Sequence, residues 1–121
     1  MHKKLYIVII AVAALLVGMI CFHTLRTTSA HDRAMHPEWP LTVDDAVTKI
    51  LAQMSESDKA AIREKKKSEL IEYHFSLGMG IRNSFGLWSS NRSLLADCHA
   101  FSADDASMVI IEAVWRKLQT K

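Results

Sequence analysis

The sequence predicts an all-α fold: a compact bundle of four to five short helices around a central buried helix, preceded by one N-terminal transmembrane or signal helix. Three observations lead there. Leu5 to Phe22 is an uncharged apolar run of eighteen residues. Two later stretches repeat apolar residues at helical spacing behind a capping residue. No stretch alternates apolar and polar residues as a half-buried strand does.

At about 1.5 Å per residue the apolar run spans roughly 27 Å, close to the hydrocarbon thickness of a bilayer. Lys3 and Lys4 precede it, which favours a cytoplasmic amino end and a periplasmic remainder if the membrane is a bacterial inner membrane. Arg26 and Arg33 on the far side pull against that orientation. The alternative is a signal peptide cleaved near Ala30, after Thr28-Ser29, which releases a periplasmic domain. The length of the run, and His23 and Arg26 ahead of that site, favour the uncleaved anchor. The expected organisation is an anchor or signal over 1–30, a polar tether over 31–38 within an aperiodic stretch from His23 to Trp39, and a helical domain over 39–121.

Composition narrows the function. Three of the 15 basic residues (Lys3, Lys4, Arg26) and none of the 13 acidic ones precede His31, so the domain carries 12 basic against 13 acidic side chains. A net charge of −1 gives no footprint for nucleic acid. Cys98 is the only cysteine of the domain, and Cys21 lies in the apolar run, which excludes a disulfide scaffold. Cys98 reads as a buried thiol.

The helices follow in order. Trp39-Pro40 holds the backbone extended. Thr42 opens the first helix with Asp45 at the capping-box position, and Val43, Val47, Ile50, Leu51 and Met54 make its apolar face. Ser55 or Ser57 caps a short helix through Ile62, with Glu56 and Asp58 suited to its positive end. Arg63 to Lys67 is a charged break. Ser68 is expected to cap the central helix, Glu69 to about Asn83, in which Leu70, His74, Leu77 and Ile81 share one stripe and Ile71, Phe75, Gly78 and Arg82 lie beside it. Asn83-Ser84-Phe85-Gly86 is the turn that stops it. Ser93 to Asp97 makes one or two helical turns. Ser102, with Asp105 three residues on, caps the last helix, whose face is Met108, Ile110, Ile111, Val114, Trp115 and Leu118.

Two motifs stand out: HFxLGMxIRNxFGLW from His74 to Trp88, and DDASMVIIEAVW from Asp104 to Trp115. With the SESDK start at Ser55, they cover roughly Trp39 to Leu118, and over that span the chain resembles the DUF6794 family. The resemblance implies a compact helical domain whose activity is not established, and supplies no catalytic residues.

The residues that carry chemistry are few. His74, Arg82, Asn83 and Trp88 are the candidate binding residues. Arg82 at the rim of an apolar helix needs a partner, because an unpaired buried charge is costly; Asp104 or Asp105 is expected to supply it. His74 reads as a buried histidine bonded to a backbone carbonyl. Gly78 and Gly80 cost helix stability and so are expected to permit close approach of a backbone or a ring. Phe85, Trp88 and Trp115 are expected to fill the core. His74, Asp97, Cys98 and His99 lack the spacing of metal ligands, and no nucleophile, phosphate-loop or dinucleotide motif is present. No metal and no cofactor is expected.

The leading expectation is a non-enzymatic protein-binding module, membrane-tethered or exported, with a toxin-neutralising immunity protein as one concrete form. Two others stand beside it. One is a small-ligand or enzymatic site around His74 and Arg82. The other is a structural subunit of an envelope assembly, whose anchor offers Gly18, Ala11, Ala13 and Ala14 to neighbouring helices.

Overall fold

The structure, a computed structural model, describes residues 2–120, and their side chains from residue 7 onward except at residue 25. The Lys3 and Lys4 side chains, on which the orientation expectation rests, lie outside the described residues. Six α-helices and one 3-10 helix follow in order: α1 (His2–Met35), α2 (Val43–Gln53), α3 (Glu56–Glu64), the 3-10 helix (Lys67–Tyr73), α4 (Leu77–Ser84), α5 (Arg92–Asp97) and α6 (Ala103–Gln119). Among the described residues there is no strand. The all-α class read from the sequence is the class observed.

The core is built on α6. Ala106, Ile110, Ile111 and Val114 are wholly shielded from solvent, and α2, α3, the 3-10 helix, α4 and α5 all pack against this helix. Each large aliphatic side chain buried there contributes roughly 1.5–3 kcal/mol. Apolar residues three and four apart fix which stripe of α6 faces inward.

Capping sets three helix starts. The hydroxyl of Thr42 accepts the Asp45 N–H at 3.1 Å, that of Ser55 accepts the Asp58 N–H at 3.1 Å, and that of Ser102 accepts the Asp105 N–H at 3.1 Å. Each satisfies a donor that the first helical turn leaves free, worth about 1 kcal/mol. Gly86 ends the α4 region with φ of +68°, and the Trp39 ring occupies the space where a Cβ would stand. Only glycine fits both conditions.

Two elements differ from the sequence reading. The expected tether is helical as far as Met35. The hydroxyls of Thr24, Thr27 and Thr28 bond back to carbonyls three or four residues earlier, so these polar side chains cost the helix little. No glycine or proline interrupts the chain between Gly18 and Pro37. Asp32 is buried, and its carboxylate accepts both the N–H and the hydroxyl of Ser93, at 3.1 and 2.8 Å. It thereby ties α1 to the first turn of α5. The apolar part of α1 is long enough to cross a membrane or to serve as a signal sequence, and none of its described residues is buried against the domain.

The second difference is the expected central helix over 69–83. It is broken: the 3-10 helix starts at Lys67, not behind Ser68, a turn occupies His74 to Ser76, and α4 begins at Leu77. The buried central helix is α6. The Glu69 carboxylate, one turn in, accepts the Lys66 N–H at 2.8 Å and caps the 3-10 helix from within. The His74 carbonyl accepts from the Arg82 guanidinium at 3.1 Å, a contact outside the helical ladder. Ile71 and Phe75, expected beside the apolar stripe of a buried helix, are exposed.

Candidate functional site

The short helix α4 has two contrasting flanks. One is locked. Arg82 is only 2% exposed, among the deepest charged groups of the domain. Its Nη1 donates to the Ser107 hydroxyl at 2.8 Å and its Nη2 to the His74 carbonyl. Its Nε lies 3.3 Å from the Asp104 carboxylate, although that N–H is not aligned for a hydrogen bond. The expected ion pair therefore forms with Asp104. Asp105 instead accepts the Ser102 hydroxyl at 2.7 Å, which steadies that N-cap of α6.

His74 approaches the same carboxylate oxygen, with Nε2 3.7 Å from Asp104. Its ring makes no bond to a backbone carbonyl, contrary to the sequence reading; Nδ1 is buried without a partner. The peptide carbonyl of His74 supplies the hydrogen bond that reaches Arg82.

Gly78 explains how Arg82 fits. A Cβ there would stand 3.1 Å from Arg82 Nη1, 3.3 Å from the Tyr73 carbonyl and 3.5 Å from Ile111. The expectation of close approach holds at Gly78. It fails at Gly80, where a Cβ would meet nothing within 4 Å.

Aromatic side chains stand over the locked flank. The Phe75 ring meets His74 edge-on at 4.7 Å, and the Trp88 ring lies 5.5 Å from the Arg82 guanidinium carbon. Trp88 Nε1 donates to the Asn83 carboxamide at 3.1 Å. Phe75 is 78% exposed, Trp88 59% and Met79 44%. Trp88 thus does not fill the core, because its indole N–H is spent on a surface partner while Leu87 takes the buried place. Phe85 and Trp115 do pack against the core, and Trp115 Nε1 donates to the Lys65 carbonyl at 2.8 Å.

The other flank of α4 is open. A groove of about 450 Å³ runs between α4, the C-terminal half of α2 and α3. Met54, Ile62, Leu77, Ile81 and Phe85 make its apolar walls, and Gly80 and Ser84 of α4 line it with Ser76 of the preceding turn. The sequence reading did not find this groove. The sequence marks it only through Gly80, a residue that weakens a helix.

Over residues 39–118 the chain matches the family model described as a domain of unknown function, DUF6794. The chain belongs to that family. The match takes in α2 through most of α6 and so contains both flanks of α4. No curated protein and no solved structure matches the chain.

Other polar residues are structural. Asn91 is fully buried; its carbonyl oxygen accepts the Leu94 N–H, and its amide donates to the Pro40 and Phe85 carbonyls at 2.9 and 2.8 Å. It caps α5 and pins the α4–α5 connection, a role the sequence signalled only by asparagine standing before a helical turn. Asp97 accepts the Val43 N–H at 2.7 Å. Burial first, and the Asp97 carboxylate second, push the Cys98 thiol up to about 11. Among the described residues no three His, Cys, Asp or Glu side chains converge as a metal site.

Proposed function

We propose that this chain is a non-enzymatic protein-binding module, carried on its apolar N-terminal helix and presented outside the cytoplasm. One observation carries the reading: Phe75, Met79 and Trp88 stand exposed near Arg82, whose Nη1 and Nη2 are taken by Ser107 and the His74 carbonyl. Large apolar side chains in water mark an interaction surface, and side chains held in place lose little entropy on binding. The Arg82 guanidinium is sealed and its donors face Ser107, His74 and Asp104. That supports a positioning role for Arg82 rather than a reaction centre. An immunity-type role, neutralising an envelope toxin, is the narrower form of the reading.

A photocrosslinking residue placed at Met79, in cells making the full chain at native level, tests it. A discrete protein adduct that disappears with Trp88→Ala is the expected result. Lipid adducts alone, or none, would sink the reading. So would a purified full chain that turns over a substrate and stops on substitution of His74.

A further inference from the structure

The bonds from Ser93 to Asp32 fix the direction of α5 as well as its attachment to α1. Asp32 meets the first turn of α5. Nearer the apolar run, Thr28 and Ser29 border a cavity of about 410 Å³ with Ala96, Asp97 and His99 at the other end of α5. Earlier residues of α1 thus lie beside later residues of α5, and the two helices run antiparallel. Descending α1 towards Phe22 leads along α5 to its C-terminus and to the loop 98–102.

That loop leaves the helix by a tight turn. The Ala100 N–H reaches back to the Leu95 carbonyl at 3.1 Å and the His99 N–H to the Ala96 carbonyl at 3.0 Å, which closes α5. His99 takes the left-handed conformation, φ +51°, at the position glycine usually fills. Two residues on, Phe101 is 103% exposed, and nothing in the domain shelters its ring.

Heights along α1 say what lies below that ring. Ser29 stands seven residues beyond Phe22, about 10 Å above the end of the apolar run. The Arg26 guanidinium folds back over the Phe22 ring, 4.4 Å from its centroid, as a basic side chain does where a helix leaves lipid. On a bilayer crossed by that run, headgroups fill the lowest ~5–7 Å of this rise. The two residues from His99 to Phe101 span up to about 7 Å, which brings the ring within reach of the headgroups.

We propose that the loop 98–102 rests on the bilayer that α1 crosses, with the Phe101 ring seated among the lipid headgroups. The proposal rests on α1 being an uncleaved span. It turns the C-terminal end of α5 towards lipid and leaves Phe75, Met79 and Trp88 to a protein partner. The contact is apolar, not electrostatic: no lysine or arginine lies between Ser93 and Trp115, while Asp97, Asp104 and Asp105 flank the loop.

A photocrosslinking phenylalanine analogue tests it, placed singly at Phe101, at Leu15 in the apolar run, or at Lys117 at the far end of α6. The full chain is held in phosphatidylcholine nanodiscs. Lipid adducts should form at Phe101 about fivefold more than at Lys117, and replacing half the lipid by phosphatidylglycerol should not raise that yield. Phe101→Asp should speed amide exchange in the loop by about tenfold, whereas Phe101→Leu should keep the native rate. Phe101 buries nothing in the domain, so neither change threatens the fold. Lipid adducts at Leu15, with Phe101 no better than Lys117, overturn the proposal and keep the anchor. Adducts at neither Leu15 nor Phe101 overturn both. A yield that climbs with phosphatidylglycerol, or loop exchange that ignores Phe101→Asp, also overturns the proposal.

Discussion

Gly78 and Gly80 sit two residues apart in one helix and do opposite things. Gly78 is crowded by Arg82, the Tyr73 carbonyl and Ile111, while Gly80 faces empty space. The same residue type, paying the same helix penalty, serves internal packing on one flank and leaves an unfilled surface on the other. The lesson is that a costly residue inside an element marks a need for space, and only the neighbours tell whether the fold itself uses that space.

The contrast can be broken most sharply at its charged anchor. Arg82→Ala removes two hydrogen bonds and leaves a cavity under Trp88. It should destabilise the domain by about 3 kcal/mol in denaturant titration of the full chain. Asp104→Ala should cost less, about 1–2 kcal/mol, because Ser107 and the His74 carbonyl still hold the guanidinium. An equal loss for the two would show that the carboxylate, not the whole cluster, holds the locked flank.

The glycines supply the next test. Gly78→Ala should cost about 1 kcal/mol net. Its Cβ crowds Arg82, whose position is fixed by two bonds, and this outweighs the gain in helix propensity. Gly80→Ala should stabilise by about 0.5–1 kcal/mol, since nothing opposes that gain. Changes of the same sign at both positions would erase the distinction between the flanks.

The last test concerns Cys98 and is silent at neutral pH. Its thiol is raised from 9.0 to about 11. A raised thiol stays protonated in the folded chain while the unfolded chain ionises, so its contribution is intact below pH 9 and is lost as pH climbs towards 11. Denaturation midpoints should fall over that window for the native chain, and Cys98→Ala should flatten the fall. At pH 8 the folded thiol should resist alkylation that the unfolded chain accepts readily.

How much of this was legible in the sequence differs element by element. Thr42, Ser55 and Ser102 each announced a helix start, because an N-cap is a bond between residues three apart and needs no distant partner. The apolar stripe of α6 was legible for the same reason. The break at His74 was not, since the bond that holds the His74 carbonyl comes from Arg82 across a turn. Apolar content also misled. Phe75 and Trp88 looked like core residues by type, yet the inner volume around α6 is filled by smaller aliphatic side chains. Of the candidate site, the Arg82–Asp104 pairing followed from the cost of burying a lone charge. The groove did not, because its walls come from three separate helices.

The unbroken run of α1 as far as Met35, with Asp32 gripping Ser93, bears on how this domain meets its surroundings. Should Leu5 to Phe22 cross a bilayer, the thirteen residues from His23 to Met35 form a mast about 20 Å tall rather than a slack rope. The head of the mast then swings little, and whatever it touches must come to a fixed height. Snapping the mast, by two glycines at Arg26 and Thr27, would turn a stationary bracket into a roaming one without touching the domain.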